Sequence, residues 1–553
     1  MLGRLLHMSS RLMTKKQPTV LSAAFVIGFT VFLSRILGLL RDRLLATYFS
    51  VDELGIYFAA FRLPNFLFEL LIIGALSTAF IPVFTTLLVK ENQDKAFEMG
   101  SSLINASTLL IIVLLLPLTI FARPLSYLLV PGFSGAERDL MVAFTRIMLL
   151  GQLLPLVIGN FTTGMLQSMQ RFLLPALAPV IYNIGIIAGI IVLSPTLGMW
   201  GAVWGVVIGA ALYLIVQLPL LWSLGYRHKL KITVNHPVKE VFRLMLPRTF
   251  GVAVSQIDLT ADLILASFLG TRAVTIFHFA QHLQQLPIGL FGATLAQAAL
   301  PTLSVAVAEK KWDDFKNLLL ASMHQILFFV LPASAMLIIL RTPIVRLVFG
   351  AAKFDWDATV MTGYTLSLFA VSIFAQSLIH LFGRGFYALH DTKTPVTIGI
   401  ISVVVNTLLS IVLVLGLRFD VWALALSTSI ASVLNAFLLF VALYKKIDGF
   451  DLQKLIFPPI KMMIASVCTG VFLYLPMKLF DQLVFDTTRV FDLILLTGVA
   501  SISGLSVYIF LAWFLDIEEV GTFFSLLQKF KRVPRLFFNQ SQELINGDQP
   551  SIS

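Results

Sequence analysis

The chain has 553 residues, 58% hydrophobic and only 12% charged, with 40 Lys+Arg against 29 Asp+Glu and a formal net charge of +11. A water-soluble domain carries roughly 25% charged residues, and here the apolar residues gather into runs of about 20, the length a helix needs to cross hydrocarbon. This excludes a secreted disulfide scaffold (Cys468 is the single cysteine), a disordered protein and a cytosolic enzyme, and predicts an all-α, polytopic membrane protein.

In chain order, a basic region from Arg4 to Lys16 precedes an apolar stretch from Val20. No small-residue cleavage site follows it, so the stretch reads as an uncleaved first span. Apolar runs predict fourteen helices, at 20–40, 57–89, 99–122, 139–168, 173–195, 200–224, 243–269, 275–307, 315–340, 357–389, 395–417, 421–444, 456–476 and 491–515. The second, eighth and tenth are longer than a crossing needs and imply tilt, a kink or extension beyond the membrane. The resulting layout is a basic cytoplasmic N-terminus at 1–19, an N-lobe of spans 1–6 at 20–224, a basic cytoplasmic loop at 225–242, a C-lobe of spans 7–12 at 243–444, spans 13–14 at 456–515 and a cytoplasmic tail at 516–553. The loop Tyr226–Glu240 and the segment Lys529–Arg535 concentrate the positive charge that places both termini in the cytoplasm. The basic excess is therefore assigned to topology and anionic lipid, not to nucleic acid. The final stretch, Asn539–Ser553, is polar and predicted to be disordered.

The chain also contains an internal duplication. Asp42-Arg-Leu-Leu-Ala46 is similar to Asp262-Leu-Ile-Leu-Ala266, 220 residues later. Pro82 matches Pro301, Gly164 and Pro175 match Gly385 and Pro395, and Asn183 matches Asn406, all at about the same distance. Spans 1–6 and 7–12 are thus two copies of one unit, with 13–14 added. Six is even, so the copies run the same way through the membrane. Parallel repeats of this kind are a transporter architecture with the substrate site between the halves, although a channel or a membrane enzyme can also arise by duplication.

Ionisable residues inside spans are costly and mark function by default. They are Arg35, Arg41, Asp42, Arg62, Glu69, Arg146, Arg248, Asp258, Asp262, His278, His282 and His380. Arg35 and Arg41 are six residues apart, roughly 600° round a helix, so they are offset but can line one wide cavity wall. Guanidinium groups cannot deprotonate and offer a fork that fits phosphate oxygens. Asp262 has no basic residue within a helical turn and wants a cation, a distant arginine or a proton. Asn406, Ser410 and Thr428 are candidate oxygen donors for a small cation beside it. His278 and His282 share a helix face, but no acidic third ligand accompanies them, so no transition-metal site is expected. Phosphate-binding glycine loops and nucleophile motifs are absent, which favours a transporter over an enzyme and predicts no organic cofactor.

Seven segments together resemble the MurJ/MviN lipid II flippase family. They are Ser34-Arg-Ile-Leu-Gly-Leu-Leu-Arg-Asp42, Phe61-Arg-Leu-Pro-Asn65, Gly74-Ala-Leu-Ser-Thr-Ala-Phe-Ile-Pro82, Val130-Pro-Gly-Phe133, Arg171-Phe-Leu-Leu-Pro-Ala-Leu-Ala-Pro179, Leu286-Pro-Ile-Gly-Leu-Phe291 and Gly385-Phe-Tyr-Ala-Leu-His-Asp-Thr-Lys-Thr-Pro395. They cover roughly residues 20–445 in order. The family belongs to the multidrug/oligosaccharidyl-lipid/polysaccharide exporter superfamily, and the resemblance implies fourteen helices in two six-helix lobes plus a terminal pair. It also implies transfer of lipid II, an undecaprenyl-pyrophosphate-linked peptidoglycan precursor, from the inner to the outer leaflet of a bacterial inner membrane by alternating access.

Carried over by position, the resemblance assigns Arg35, Arg41, Asp42, Arg62, Asn183 and His282 to substrate, and Asp262, Asn406, Ser410 and Thr428 to a site for sodium or a proton. Ser410 stands where sodium-binding members have an aspartate. Phe68, followed by Glu69, and His282 stand where the family has cavity arginines. Gly55 and Ile73 stand where it has acidic residues. His282 replaces an arginine only when protonated. These departures keep open another polyprenyl-linked glycan as substrate, or a scaffold without transport. Cell-wall synthesis or division proteins are the partners the family context suggests.

Overall fold

The computed structural model describes residues 20–75, 79–233, 235–483, 490–521 and 524. The basic N-terminus Arg4–Lys16, the segment Lys529–Arg535 and the polar tail Asn539–Ser553 lie outside the described residues. Among those described there is no strand, and every regular element is a helix. By length and composition twelve helices are able to cross a membrane, thirteen when the bent pair Trp356–Val371 and Ile373–Ala388 is taken as one span. The expected count of fourteen is thus not reached. The Val20–Tyr48 helix, 29 residues long, is not among the twelve; its second half carries Arg35, Arg41, Asp42 and Arg43.

The second span begins earlier than hydropathy predicts. Ser50 caps the Val51–Ala60 helix and Glu53 returns the bond to the Ser50 backbone, so the helix starts in a polar stretch that an apolar count passes over. The chain turns at Phe61, continues as Arg62–Ala75, and resumes as the separate short helix Ile81–Lys90. A second capping box, Ser134 with Glu137, starts Gly135–Ser168, and Asn235 followed by Pro237 starts His236–Phe268. The expectation of a kink in the two other long spans is met. Thr271–Pro287 passes into Thr294–Ala308 through a π-helical segment, Ile288–Ala293, and the pair around Ser372 is bent by 43°.

Irregular backbone recurs at the repeat distance. Gln170 and His390 have φ of 61° and 56°, and Gly198 and Arg418 have 59° and 57°. Each pair is 220 residues apart. The π-helical segments Gly189–Leu193 and Val412–Gly416 follow the same spacing. A left-handed residue costs energy unless it is needed, so its reappearance in both copies argues for a shared backbone plan.

Packing groups the chain into two compact units. The first comprises Met1–His282, Ile344–Thr365 and Gly399–Ala431; the second comprises Leu283–Pro343, Leu366–Ile398 and Ser432–Ser553. In the first unit, Phe80, Phe84, Leu103, Leu149, Val157 and Phe161 form the main apolar core. There the Leu173–Ala188 and Met199–Ile215 helices meet backbone to backbone. A Cβ on Gly185 would lie 2.4 Å from the Gly209 Cα, and Gly201, Gly205 and Gly209 keep that face bare at every fourth residue. In the second unit, Phe315, Leu319, Leu327, Phe382, Phe386 and Leu443 are buried together, and the buried Tyr508 hydroxyl donates to the Phe328 carbonyl at 2.8 Å. Large apolar side chains such as Phe32, Val113, Leu116, Phe437 and Trp513 remain exposed, the surface a lipid-facing helix presents.

Candidate functional site

The functional side chains predicted from sequence fall mainly in the first unit, in two polar clusters. The first is built on Asp42, near the end of the Val20–Tyr48 helix, whose side chain is wholly buried. Its Oδ1 accepts from Arg41 Nε at 2.9 Å, with Arg41 Nη2 at 2.8 Å, and its Oδ2 lies 2.5 Å from Nδ1 of His282 on Thr271–Pro287. Arg41 Nη1 donates to Asn183 Oδ1 at 3.2 Å. The Asn183 amide donates in turn to the Ser34 hydroxyl and to the Pro179 carbonyl, both at 3.2 Å. A buried carboxylate is tolerable only with such partners, and here they tie three helices together.

Arg41 opens on a cavity of about 380 Å³, lined also by Arg62, His278, Asn65, Tyr57 and Tyr182, with no Asp or Glu among its lining residues. Arg62 is held from the His236–Phe268 helix. Its Nε donates to Thr260 Oγ1 at 2.9 Å and its Nη2 to the Gln256 side-chain oxygen at 2.8 Å and the Gln256 carbonyl at 2.5 Å. His278 lies flat against Phe58, ring centroids 3.9 Å apart. Two guanidiniums and an imidazole around a carboxylate-free space suit an anion with several oxygens.

The second cluster is acidic. Asn406 donates its amide to Asp258 Oδ1 at 3.0 Å and to Asp262 Oδ1 at 3.3 Å, while its own Oδ1 is buried without a hydrogen-bond partner. Asp262 is 2% exposed. Two carboxylates bridged by one amide, with no cation bonded to either among the described residues, form a set of hard oxygens that would suit sodium or receive a proton.

The structure therefore joins Arg41, Asp42, Asn183 and His282 in one network and brings Arg62 to the same cavity. Arg35 is exposed and does not line it. Asp262 and Asn406 come together as expected, with Asp258 added. The other two expected donors bond elsewhere among the described residues: Ser410 Oγ meets Ser427 Oγ at 2.5 Å, and the Thr428 hydroxyl donates to the Leu424 carbonyl one turn back at 2.8 Å. Phe68 packs against the apolar core. Arg146 donates to the Thr119 carbonyl at 3.0 Å. Sequence reading missed Tyr57, Tyr182, Asn65 and the Gln256–Thr260 clasp. The spacing of Gln256 with Thr260, and of Asp258 with Asp262, was the available signal, since residues four apart share a helix face.

Fold and site together define a duplicated, multi-pass helical membrane protein whose buried charges surround a cavity, the architecture of a transporter. The chain belongs to the lipid II flippase MurJ family, whose model matches residues 45–491. It is 31% identical over 444 residues to the lipid II flippase MurJ of Burkholderia cenocepacia, covering 76% of this chain and 83% of the relative. To the probable lipid II flippase MurJ of Bdellovibrio bacteriovorus it is 29% identical over 516 residues, covering 91% and 96%. Among solved structures, a lipid II flippase MurJ in an inward closed conformation is 25% identical with a TM-score of 0.72, covering 88% of this chain and 98% of that one. An inward-facing MATE family transporter of the MOP superfamily shares the fold at 16% identity and a TM-score of 0.64, covering 75% and 94%.

Proposed function

We propose that this chain moves lipid II from the inner to the outer leaflet of a bacterial cytoplasmic membrane by alternating access, as a transporter without a chemical step. The observation that carries this is the cavity held between Arg41, Arg62 and His278, free of carboxylates in its lining, in a chain of this family. Lipid II presents a diphosphate between a polyprenyl chain and a disaccharide-pentapeptide. At about 30 Å³ per water, the cavity holds on the order of a dozen waters, room for a diphosphate and its first sugar atoms but not for the whole head group. The guanidiniums of Arg41 and Arg62 then act on the diphosphate, and the glycan extends beyond them. Arg35, exposed and about 9 Å along the same helix from Arg41, meets the head group outside the cavity.

With both termini in the cytoplasm, as the basic loops favour, the end of the first unit that carries Asp52, Thr271 and Asp355 faces outward. That end is stitched shut within the unit. Thr271 Oγ1 donates to Asp52 at 2.8 Å, and a Cβ on Gly55 would lie 1.9 Å from the Thr271 carbonyl oxygen. Sodium or a proton at Asp258, Asp262 and Asn406 biases the exchange between states, which requires that it bind one state better than the other. Membrane lipids and cell-wall synthesis or division proteins are the partners this role brings into reach.

The test is rescue of a bacterium depleted of its lipid II flippase, with lipid II accessibility at the outer leaflet measured in the same cells. Restored growth together with restored accessibility is expected. Restored growth with lipid II still confined to the inner leaflet would falsify the proposal and assign the cavity to another polyprenyl-linked glycan.

A further inference from the structure

The Asp42 carboxylate serves two bases at once, Arg41 on Oδ1 and His282 on Oδ2. Arg41 is always charged, so with His282 neutral the three groups sum to zero and Asp42 cancels the guanidinium that faces the cavity. With His282 protonated the cluster carries +1, and the carboxylate is satisfied from the side of Thr271–Pro287. Other ionisable groups near His282 are few. His278, one turn earlier, has its ring centroid 6.3 Å away and is committed to Phe58. Tyr57 lies on the cavity wall beside Arg41. Arg43 turns to the Leu347 carbonyl, and Arg346 lies over the Trp356 ring.

From this geometry we infer that His282 is a proton-operated positioning residue for Arg41: its protonation occupies Asp42 and releases the guanidinium to grip a diphosphate diester, so that the anion and one proton enter the site together. The inference rests on the substrate reading above and says how that site is regulated. His282 touches Asp42 and acts on the ligand through Arg41. Its side chain is 29% exposed, so a proton can reach it while Asp42 stays sealed.

Each phosphorus of a diphosphate diester carries one strongly acidic oxygen, so the ligand keeps its charge between pH 5 and 8 and any pH dependence of binding belongs to the protein. The experiment is lipid II binding to the full chain in nanodiscs across that range, with proton uptake followed in weak buffer. Wild type is expected to take up close to one proton per lipid II at the alkaline end. Its affinity should fall about tenfold per pH unit above the histidine's titration. His282→Gln should bind weakly with no slope. His282→Arg should also lose the slope, yet bind at pH 8 as tightly as wild type does in acid. His278→Gln should keep the slope whatever it does to affinity.

Binding by wild type that ignores pH and takes up no proton overturns the inference while leaving the substrate reading intact, and so does a slope that survives in His282→Gln. No lipid II binding by wild type or by His282→Arg at any pH overturns the substrate reading and the inference with it. Proton uptake by wild type and tight binding by His282→Arg keep the test decisive even if His282→Gln fails to fold.

Discussion

Asp42 and Asp262 occupy the same place in the two copies of the repeat, as do Asn183 and Asn406, yet the two sites are chemically opposite. In the first copy the residue before the aspartate is Arg41; in the second it is Ala261. With a guanidinium present, the asparagine turns its oxygen toward it, and Asn183 Oδ1 accepts from Arg41. Without one, Asn406 turns its amide to Asp258 and Asp262 and leaves its oxygen without a partner. One scaffold has thus become an anion-facing site in one copy and a cation-seeking site in the other, and a single position separates them.

Removing that difference should have the largest effect. Arg41→Ala leaves a fully buried carboxylate with His282 alone, and breaking a buried pair in this way costs on the order of 3–5 kcal/mol. Flippase rescue should be lost and the thermal midpoint in detergent should fall, whereas Arg35→Ala, with an exposed side chain, should keep most of its rescue. Equal losses in the two variants would mean that the network around Asp42 is not what distinguishes the two arginines. The reciprocal change, Ala261→Arg, places a permanent cation beside Asp262. It should make transport into inverted vesicles insensitive to sodium and less sensitive to pH, if the acidic cluster is where a cation acts.

The two asparagines give a smaller and more discriminating contrast. Asn183→Leu takes one hydrogen bond from Arg41 and should cost about 1–2 kcal/mol, with lipid II affinity reduced several-fold and cation dependence unchanged. Asn406→Leu removes the amide shared by Asp258 and Asp262, which leaves two neighbouring carboxylates with no donor between them. It should alter the cation dependence of transport while lipid II binding in detergent stays near wild type. If both variants change the same parameter, the two sites are not functionally separate.

How much of this was legible beforehand follows from what each feature depends on. The duplication was readable because it survives in short motifs at one spacing, and the recurring backbone at Gln170 and His390 follows that spacing. The extra acid, Asp258, was readable in principle from its place four residues before Asp262. The early start of the second span was not, because a capping box is polar and lies outside any apolar run. The separation of Arg35 from Arg41 was half readable: six residues leave two side chains about 120° apart around a helix, but which of them meets the cavity depends on what packs there. The role of Gly55 was hidden for a similar reason. The motif shows a missing acid, and only the approach of Thr271 shows that a side chain has no room.

The opposition between copies continues outside the membrane, where the smallest effect is expected. Arg171 and Asp391 are again 220 residues apart, each after a left-handed residue at the end of a helix. Asp391 accepts from the Lys393 and Thr394 backbone at 3.1 and 3.0 Å, from the Thr394 hydroxyl at 2.8 Å and from Lys446 Nζ at 2.5 Å. Burial works against its charged form, but the Lys446 and Thr394 bonds outweigh it and hold the carboxyl well below the usual carboxylate range. A carboxyl whose folded pKa is depressed contributes stability above its unfolded pKa of about 4, and that stability is lost as pH falls from there toward the folded value. Lys446 is 40% exposed, so water screens the pair and the contribution should be about 1 kcal/mol. Asp391→Asn keeps an oxygen for the two backbone donors and loses only the charge. Its thermal midpoint should lie slightly below wild type at pH 7, with the gap shrinking below pH 4 and in high salt. A gap that stays constant through that range would mean that Asp391 acts as a helix cap alone, and that the charge inversion between the copies has no energetic consequence beyond the buried clusters.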